Sequence, residues 1–375
     1  MEAILILPFI YLLIYCAFIL ALSFGYSKIR KWTFTGSHPK TTFTIIIPFR
    51  NEAQNLPALL QSIEKLDYPL QLFEIILVND FSNDEGENLI YKWRMANGRI
   101  HTTLLENIRI SGSPKKDAIM RAIPIATSDW IVTTDADCVL PARWLLELND
   151  FILTKNAEMV AGAVFLQGKS LSAGFERLDV MSLQAATIGG FGLQRPFMCN
   201  GANLAYKKSL FVELGGFSGN SGFAGGDDVF LLQKAAAEVP EKIAYLKSGN
   251  FVVITKPETS WVKLFKQRVR WASKATSYES SFAEMLSLAV FFGNLAIIAI
   301  AVAAFFNAIP LSSLICAFAV KYVIDLVLLL QGNSFPGKKS FIFPLFSSVI
   351  YPFFSVAVAI FAIIGNFDWK GRKFS

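Results

Sequence analysis

The sequence has little charge for its length, because only 17% of its 375 residues are charged, against about 25% in an ordinary soluble protein. The apolar share is high: 53% of the residues are hydrophobic and 14% are aromatic. This composition excludes a disordered protein, since disordered chains are rich in charge and poor in apolar residues. It indicates apolar blocks that lie in a membrane, together with a water-soluble portion large enough for one or two domains.

Cysteine and histidine are also scarce, with four and two residues respectively. Cys16 and Cys316 lie in apolar blocks, and neither Cys138 nor Cys199 belongs to a CxxC pattern or has a histidine at ligand spacing. A disulfide framework and a zinc site are therefore not supported. The net charge of +6 does not predict a nucleic-acid partner, because the basic residues gather at the borders of the apolar blocks, where anionic lipid headgroups are expected.

Residues 3–27, 285–320 and 340–367 form three blocks without any charge. A membrane-spanning helix needs about 20 apolar residues, so the first and last blocks each fit one span. The middle block breaks at residues 307–310 and begins a pair of spans. We therefore predict four spans at about 3–26, 285–306, 309–331 and 342–365. The first is expected to be an uncleaved anchor, because its apolar core exceeds the roughly 7–15 residues of a signal peptide and no cleavage pattern follows it.

Basic residues follow the first and third spans, which predicts that both loops, and the large segment between the first and second spans, lie in the cytoplasm. These residues are Lys28, Arg30, Lys31 and Lys40 after the first span, and Lys338 and Lys339 after the third. The protein is thus expected in the cell (inner) membrane. The basic tail conflicts with four spans, since Lys370, Arg372 and Lys373 would then lie outside. An interfacial or re-entrant last block, containing Pro344 and Pro352, is the alternative.

Short apolar runs alternate with helical patterns in the hydrophilic segment. Strands are predicted at 43–48, 74–79, 100–105 and 130–134, and helices at 52–65, 84–96, 114–126 and 141–155. Continuous apolar strands such as these are typical of a parallel sheet covered by helices on both faces. In such sheets, ligands bind at the carboxyl ends of the strands, so the residues that follow each strand are candidate site residues.

Three of the predicted strands deliver a carboxylate to that edge. Pro48, Arg50 and Glu52 end or follow the first strand, Asp80 follows the second, and the fourth is followed by Asp135 and Asp137. Each acidic residue alone could instead cap a helix. Two carboxylates one residue apart at the end of a buried strand can bind Mg2+ or Mn2+, which would also bind the two phosphates of a nucleotide. Lys115 and Lys116 precede a helix and would meet the phosphates, unless they are a solvated surface pair.

Six motifs occur in one order over about 240 residues. They are Ile45-Ile46-Ile47-Pro48-Phe49-Arg50-Asn51-Glu52, Val78-Asn79-Asp80-Phe81-Ser82, Asp135-Ala136-Asp137, Asn200-Gly201-Ala202-Asn203-Leu204-Ala205-Tyr206, Gly225-Gly226-Asp227-Asp228 and Gln267-Arg268-Val269-Arg270-Trp271. This order resembles the inverting, membrane-associated glycosyltransferases of family 2, which include cellulose and hyaluronan synthases, ceramide glucosyltransferase and bacterial lipid glycosyltransferases. The resemblance implies a Rossmann-like α/β domain of the GT-A type.

The resemblance also implies roles for single residues. Glu52 and Asp80 would contact the base and ribose of the nucleotide, Asp137 would bind the metal with Asp135 nearby, and Asp228 would be the catalytic base. In the family the last motif is usually Glu-Asp, so the choice between Asp227 and Asp228 stays open. Two adjacent carboxylates repel each other, which raises one pKa toward that of a useful base. A helix-capping pair is the alternative.

The remaining two motifs are expected to face the acceptor and the diphosphate. Asn200, Gly201 and Asn203 form the first. The second resembles the QxxRW motif and lies in a basic, aromatic stretch expected to be an amphipathic helix at the membrane surface. There the planar donors of Gln and Arg suit a diphosphate, and Trp offers a flat surface for a sugar ring. The candidate residues of the second motif are Gln267, Arg268, Arg270 and Trp271.

These observations predict an anchor at 1–27, a GT-A domain at 28–258, the interfacial segment at 259–284, membrane helices at 285–367 and a basic tail at 368–375. The expected activity is metal-dependent, inverting transfer of a sugar from a nucleotide sugar, a UDP-sugar by preference, to a lipid or lipid-linked acceptor. A processive polysaccharide synthase is the nearest alternative. A transport or scaffold subunit with a nucleotide-binding domain is less favoured, because the sequence has neither a GxxxxGK[ST] loop nor an internal repeat that links the spans.

Two charged residues lie near the middle of the third predicted span. Lys321 and Asp325 are four residues apart, and an unpaired charge at this depth costs at least about 2.5–3.5 kcal/mol. They are expected to pair, either as a structural contact within the helix bundle or as a group that binds a polar lipid headgroup.

Overall fold

The computed structural model describes residues 2–168, 170–219, 225–273, 280–334, 344–364, 367–369 and 372–374. Its helices are α1 Glu2–Lys28, α2 Leu56–Glu64, α3 Gly86–Ala96, α4 Pro114–Ala122, α5 Trp144–Lys155, α6 Leu171–Gly192, α7 Lys208–Glu213, α8 Asp227–Glu238, α9 Trp261–Ala272, α10 Ser281–Phe305, α11 Leu311–Ser334 and α12 Pro344–Ile364. Its strands are β1 Phe43–Phe49, β2 Phe73–Asn79, β3 Thr102–Glu106, β4 Trp130–Thr133, β5 Met159–Ala161, β6 Val164–Leu166, β7 Leu204–Lys207, β8 Ile243–Tyr245, β9 Val253–Thr255, β10 Phe367–Trp369 and β11 Arg372–Phe374.

The chain forms two compact units, and each is built from separate stretches of sequence. One contains Met1–Ile29, Gly168–Phe197 and Pro257–Ser375, and we call it the helical unit. The other contains Arg30–Gln167 and Met198–Lys256, and we call it the sheet unit. Helix α6 therefore belongs to the helical unit, although it falls inside the single domain expected at 28–258.

A seven-stranded sheet forms the centre of the sheet unit, in the order β3-β2-β1-β4-β7-β5-β8. Six strands run parallel, and β7 runs antiparallel to both of its neighbours. The four predicted strands are parallel, as expected, and β7 is an additional strand that was not predicted. Strands β1, β2 and β3 are each followed by a helix that returns the chain to the edge of the sheet where the strand began. The next strand therefore runs parallel to it. In contrast, β7 comes after the long segment that contains α6, and the chain enters it from the opposite edge of the sheet. Strands β6 and β9 form a small parallel pair.

The apolar runs of β1 and β2 are buried, as expected for strands covered on both faces. The two strands are in register at their carboxyl ends, where Phe49 pairs with Asn79 and the amide of Asp80 donates to the carbonyl of Phe49 at 2.9 Å. Helix α2 begins at Leu56 and not at residue 52. The chain first makes a turn in which the amides of Asn55 and Leu56 both donate to the carbonyl of Glu52 at 2.9 Å.

Four helices of the helical unit are long and apolar enough to span a membrane: Ile6–Lys28, Ser281–Phe305, Leu311–Asn333 and Pro344–Ile364. They coincide with the four predicted spans. Helices α1 and α6 approach very closely at Gly25, Gly189 and Gly192, where a side-chain carbon on any of the three would collide with backbone atoms of the opposite helix. Glycine is thus required at this crossing because of the close approach, whatever its effect on helix propensity.

Lys321 and Asp325 form the predicted pair within α11. The Lys321 ammonium lies 2.6 Å from Oδ2 of Asp325, and the Tyr15 hydroxyl of α1 donates to Oδ1 of Asp325 at 2.6 Å. Lys321 is only 3% exposed. The contact is therefore a buried polar link between α1 and α11, which agrees with the structural alternative. Three of the basic residues used to predict orientation, Lys338, Lys339 and Lys370, lie outside the described residues, so the sidedness of the chain stays a prediction.

Candidate active site

The carboxyl ends of β1 and β2 are held together by side chains of the predicted site. Nη1 of Arg50 donates to the carbonyl oxygens of Asp80 and Phe81, both at 2.7 Å. Asn51 and Phe81 adopt left-handed backbone conformations, with φ of 54° and 56°. For residues other than glycine this conformation is uncommon, and it is typical of functional sites. Arg50 therefore shapes this edge of the sheet through its contacts with the backbone.

Asp80 is bound by a residue that the sequence analysis missed. Nε and Nη2 of Arg109 donate to the two oxygens of Asp80 at 3.0 and 3.1 Å, and Nδ2 of Asn107 donates to Oδ1 at 2.9 Å. The guanidinium of Arg109 also lies 5.1 Å from the ring centre of Phe81, whose side chain is half exposed. Arg109 follows β3, so extending the strand-end rule to the third strand would have found it.

Glu52 lies in the turn after β1 and is oriented by Asn55. Nδ2 of Asn55 donates to Oε2 of Glu52 at 2.7 Å, and the Lys256 ammonium donates to Oδ1 of Asn55 at 2.8 Å. A cavity of about 320 Å³ opens beside these residues. Its wall includes Asp137 and Gln167 together with the apolar side chains of Val139 and Ile254. Pro48, also predicted here, is the sixth residue of β1 and pairs with Val78.

Asp135 and Asp137 follow β4, as the sequence predicts. Burial, together with the negative charges of Asp135 and Glu52, raises the pKa of Asp137 to about 6. Carboxylates that repel one another in this way are suitable ligands for a divalent cation, which would relieve the repulsion. Within the described ranges no group of three or more His, Cys, Asp or Glu side chains could hold a metal ion. Asp135 and Asp137 alone fit an ion such as Mg2+, which commonly takes one or two carboxylates and completes its shell with substrate phosphates and water.

Lys115 connects the two acidic motifs of the sheet unit. Its ammonium lies 2.7 Å from Oδ1 of Asp135 and 3.3 Å from Oδ2 of Asp227. Burial alone would lower the pKa of Lys115, but the carboxylates of Asp135, Asp227 and Asp228 together hold it well above its ordinary value. Lys115 is thus a charged residue within a cluster of carboxylates.

Lys116, which was also expected to meet phosphate, is 1% exposed, and its ammonium lies 5.0 Å from the ring centre of Phe230. The burial of this side chain against α8 gives no support to the phosphate contact predicted for Lys116. The alternative of a solvated surface pair fails for the same reason.

Asp227 and Asp228 are the first two residues of α8. Oδ2 of Asp228 accepts from the amide of Gly201 at 2.8 Å, which brings the Asn200–Asn203 motif to the same place. Asp227 is 7% exposed, and Asp228 is the more exposed of the two. The residue before the helix is Gly226, so the pair does not cap α8 but occupies its first turn, where the helix dipole stabilises negative charge.

Asn200 and Asn203 have local structural contacts. Oδ1 of Asn200 accepts from the amide of Ala202 at 3.0 Å. Asn203 is completely buried: it accepts from Nε1 of Trp144 and donates to the carbonyl oxygens of two further residues, Ala163 and Phe251. Both ends of its amide are thus bound by the protein, which gives no support to the predicted contact of Asn203 with the acceptor or diphosphate.

The QxxRW motif lies on α9 in the helical unit. Nε of Arg268 donates to Oδ2 of Asp179 at 2.5 Å, Arg268 is 5% exposed, and its guanidinium also lies 3.8 Å from Glu176. Arg268 is thus part of a buried ion-pair cluster between α6 and α9, and this placement gives no support to the diphosphate contact predicted for it. Nε2 of Gln267 donates to Glu258 at 2.9 Å.

Two residues of the same motif remain candidates for contact with substrate. Arg270 and Trp271 are half-buried. Within the helical unit, the ring of Trp271 lies 4.3 Å from the Arg268 guanidinium. Lys274, the last basic residue of this stretch, lies outside the described residues.

Comparison with protein families gives two matches. Residues 44–215 match a family model described as "Glycosyl transferase family 2", and residues 130–364 match one described as "Glycosyl transferase family group 2". The second match covers more than half of the chain. Both include the stretch from β4 to α7, which contains Asp135 and Asp137.

Among curated proteins, a poly(ribitol-phosphate) beta-N-acetylglucosaminyltransferase, TarS, of Staphylococcus aureus is 26% identical over 110 residues, which are 29% of this chain and 18% of that protein. An undecaprenyl-phosphate 4-deoxy-4-formamido-L-arabinose transferase of Pseudomonas fluorescens is 33% identical over 105 residues, 28% of this chain and 30% of that protein. The matched part of the chain thus spans less than a third of the length of either relative.

Among solved structures, a mannosyltransferase, PcManGT, of Pyrobaculum calidifontis, in complex with GDP-Man and Mn2+, superimposes with a TM-score of 0.59. The superposition covers 95% of this chain and 99% of that one, at 19% sequence identity. At this level of identity the similarity shows the fold alone. It extends over nearly the whole chain.

Proposed function

From the premise that the chain belongs to glycosyl transferase family 2 and is a nucleotide-sugar glycosyltransferase of the inverting, GT-A type, we propose a specific reaction. The enzyme transfers one sugar from a nucleoside diphosphate sugar, a UDP-sugar by preference, to a lipid or lipid-linked acceptor at the cytoplasmic face of the membrane. The proposal is supported above all by the single cluster that unites Asp135, Lys115, Asp227 and Asp228.

The nucleotide is proposed to bind at the ends of β1 and β2. The half-exposed ring of Phe81, with the Arg109 guanidinium beside it, offers a flat surface for a base. Asp80 and Glu52 lie on the same edge and are acceptors for the polar groups of base and ribose. The cavity beside Asp137 has both polar and apolar walls, which suits a sugar ring.

Asp137 and Asp135 are the residues that would hold Mg2+ or Mn2+. When bound, this ion stabilises the negative charge of the departing diphosphate. Lys115, at the start of α4, places a positive charge near the same group, where the helix amides add to the attraction for phosphate.

Asp228 is proposed as the general base. Its two oxygens accept hydrogen bonds from the amides of Gly201 and Val229, both at 2.8 Å, which fix the carboxylate. In the transfer, the acceptor hydroxyl forms a bond to the anomeric carbon, and the bond from that carbon to the diphosphate oxygen breaks. The hydroxyl proton passes to Asp228, and the nucleoside diphosphate leaves with the bonding electron pair. Attack from the face opposite the diphosphate inverts the configuration.

A lipid acceptor is supported by the four candidate membrane helices and by the amphipathic helix α9, with its basic and aromatic residues Lys263, Lys266, Trp261 and Trp271. It is also consistent with the undecaprenyl-phosphate transferase among the relatives. With only four candidate spans in the described residues, we favour a single transfer over processive synthesis.

The deciding experiment supplies the detergent-purified enzyme with a panel of UDP- and GDP-sugars and a membrane lipid extract. Mass spectrometry then identifies the product. The proposal expects one lipid species whose mass increases by one sugar residue, with Asp228→Asn protein as the inactive control. Release of free sugar without a glycosylated lipid would contradict the lipid acceptor, and a ladder of sugar additions would contradict single transfer.

A further inference from the structure

Lys115 lies between Asp135, which is proposed to bind the metal, and the pair Asp227–Asp228, which contains the proposed general base. Its side chain is 22% exposed, compared with 8% for Asp227 and 41% for Asp135. The space for this arrangement depends on Gly201. A side-chain carbon at this position would lie 3.0 Å from Oδ2 of Asp227 and 3.2 Å from the Lys115 ammonium.

This geometry gives Asp135 two competing uses. Its Oδ1 is 2.7 Å from an ammonium group, and a divalent cation on the same carboxylate repels that group and competes with it. The ammonium then loses its shortest contact and keeps the one at 3.3 Å to Asp227, so a second anionic partner would restore the lost stabilisation. A diphosphate brings such a partner to the N-terminal end of α4, where Lys115 lies.

We propose that Lys115 exchanges partners when the donor binds: its ammonium releases Asp135 to the metal, binds the diphosphate and keeps its contact with Asp227. The inference rests on the proposed function and adds to it. Lys115 opposes binding of the metal alone and favours binding of the nucleotide. The protein therefore binds the metal and the donor more tightly together than it binds either alone. In the absence of donor, Asp135 stays paired with Lys115 and does not hold a cation from solution.

The test measures two affinities that are expected to change in opposite directions when Lys115 is replaced. Calorimetric titrations of the full-length, detergent-purified protein give the Kd of Mn2+ without nucleotide and the Kd of UDP without metal. GDP is the second nucleotide probe. In Lys115→Gln, Mn2+ should bind more tightly and UDP more weakly than in wild type, each by about tenfold, the scale of one charge-assisted hydrogen bond.

Three further variants complete the design. Lys115→Arg keeps the charge, so its affinity for Mn2+ should stay near that of wild type. Lys207→Gln is the matched control, because it removes an ion pair of similar length, 3.1 Å to Glu158, on β7 of the same unit. It should leave both affinities unchanged. Lys115→Met is a second neutral variant, to be used if Lys115→Gln does not fold.

The result that would overturn the inference is a loss of affinity for both ligands in the neutral variant, since a structural defect weakens both together. An unchanged affinity for Mn2+ would also overturn it. Failure of the proposed function gives a different result, namely wild-type protein that binds neither Mn2+ nor UDP nor GDP.

Discussion

Replacing Asp228 with Asn tests the assignment of the base with a small change in shape. The carboxylate accepts hydrogen bonds from the amides of Gly201 and Val229, both at 2.8 Å. Asn keeps one acceptor oxygen, so it can preserve one of the two hydrogen bonds, and it loses the ability to take a proton. The substitution therefore separates positioning from proton transfer better than a change to Ala.

The expected loss follows from these two effects. A positioned general base contributes about 10²–10⁴-fold to the rate, and a loss of 10² corresponds to about 2.7 kcal/mol of transition-state stabilisation. The lost hydrogen bond to a charged group costs about 1.5–3 kcal/mol, but it acts on the stability of the first turn of α8. We thus expect kcat to fall by at least about 10², with unchanged affinity for the nucleotide sugar and a moderately lower Tm.

The assay follows radiolabelled sugar from the donor into the lipid fraction under single-turnover conditions, with donor affinity measured separately by calorimetry. Asp227→Asn is the matched comparison, because it makes the same change one residue earlier in the same helix. A larger rate loss in Asp227→Asn than in Asp228→Asn would refute the assignment. So would a fall in donor affinity large enough to account for the whole effect.

The remaining predictions concern the metal, the binding site of the nucleotide base and the helical unit. Asp137→Asn should abolish transfer, and a chelator should do the same reversibly to wild type. Full activity in excess chelator would exclude a metal role. Arg109→Met removes two charge-assisted hydrogen bonds from Asp80 and should weaken UDP binding by about 10- to 100-fold in calorimetry. An unchanged Kd of UDP would show that the uracil base binds elsewhere. Lys321→Met leaves the charge of Asp325 buried, so it should destabilise by about 3–5 kcal/mol and lower the Tm in detergent. A second change, Asp325→Leu, should restore part of the loss, and additive destabilisation would contradict pairing.

The sheet was predictable to the extent that it is built from local signals. Buried parallel strands appear in the sequence as continuous apolar runs, so β1, β2 and β4 were found within one residue of their observed bounds. The four candidate membrane helices were predicted because a bilayer demands long, predominantly apolar segments. The direction of β7 was not predictable in this way, since it depends on where the chain re-enters the sheet after α6.

The site was predictable where a residue follows a strand and not where burial decides its role. Asp135 and Asp228 lie in one cluster, as their motifs led us to expect. Lys115 and Lys116 are adjacent in sequence, yet one faces the carboxylates and the other packs against Phe230. Sequence spacing alone does not separate them, because the direction of each side chain is set by the packing of α4 against its neighbours. Arg268 and Asn203 show the same limit, since their partners are distant in sequence.

The sheet unit is interrupted in sequence by α6, so its strands are synthesised in two stages. Strand β4 with Asp135 and Asp137 precedes α6, and β7 and the pair Asp227–Asp228 follow it. Until β7 emerges, β4 lacks its neighbour on one side, and the carboxylate cluster does not exist. An incomplete chain that ends at α6 is therefore expected to lack the proposed general base and to be inactive, even though Asp135 and Asp137 have already been made.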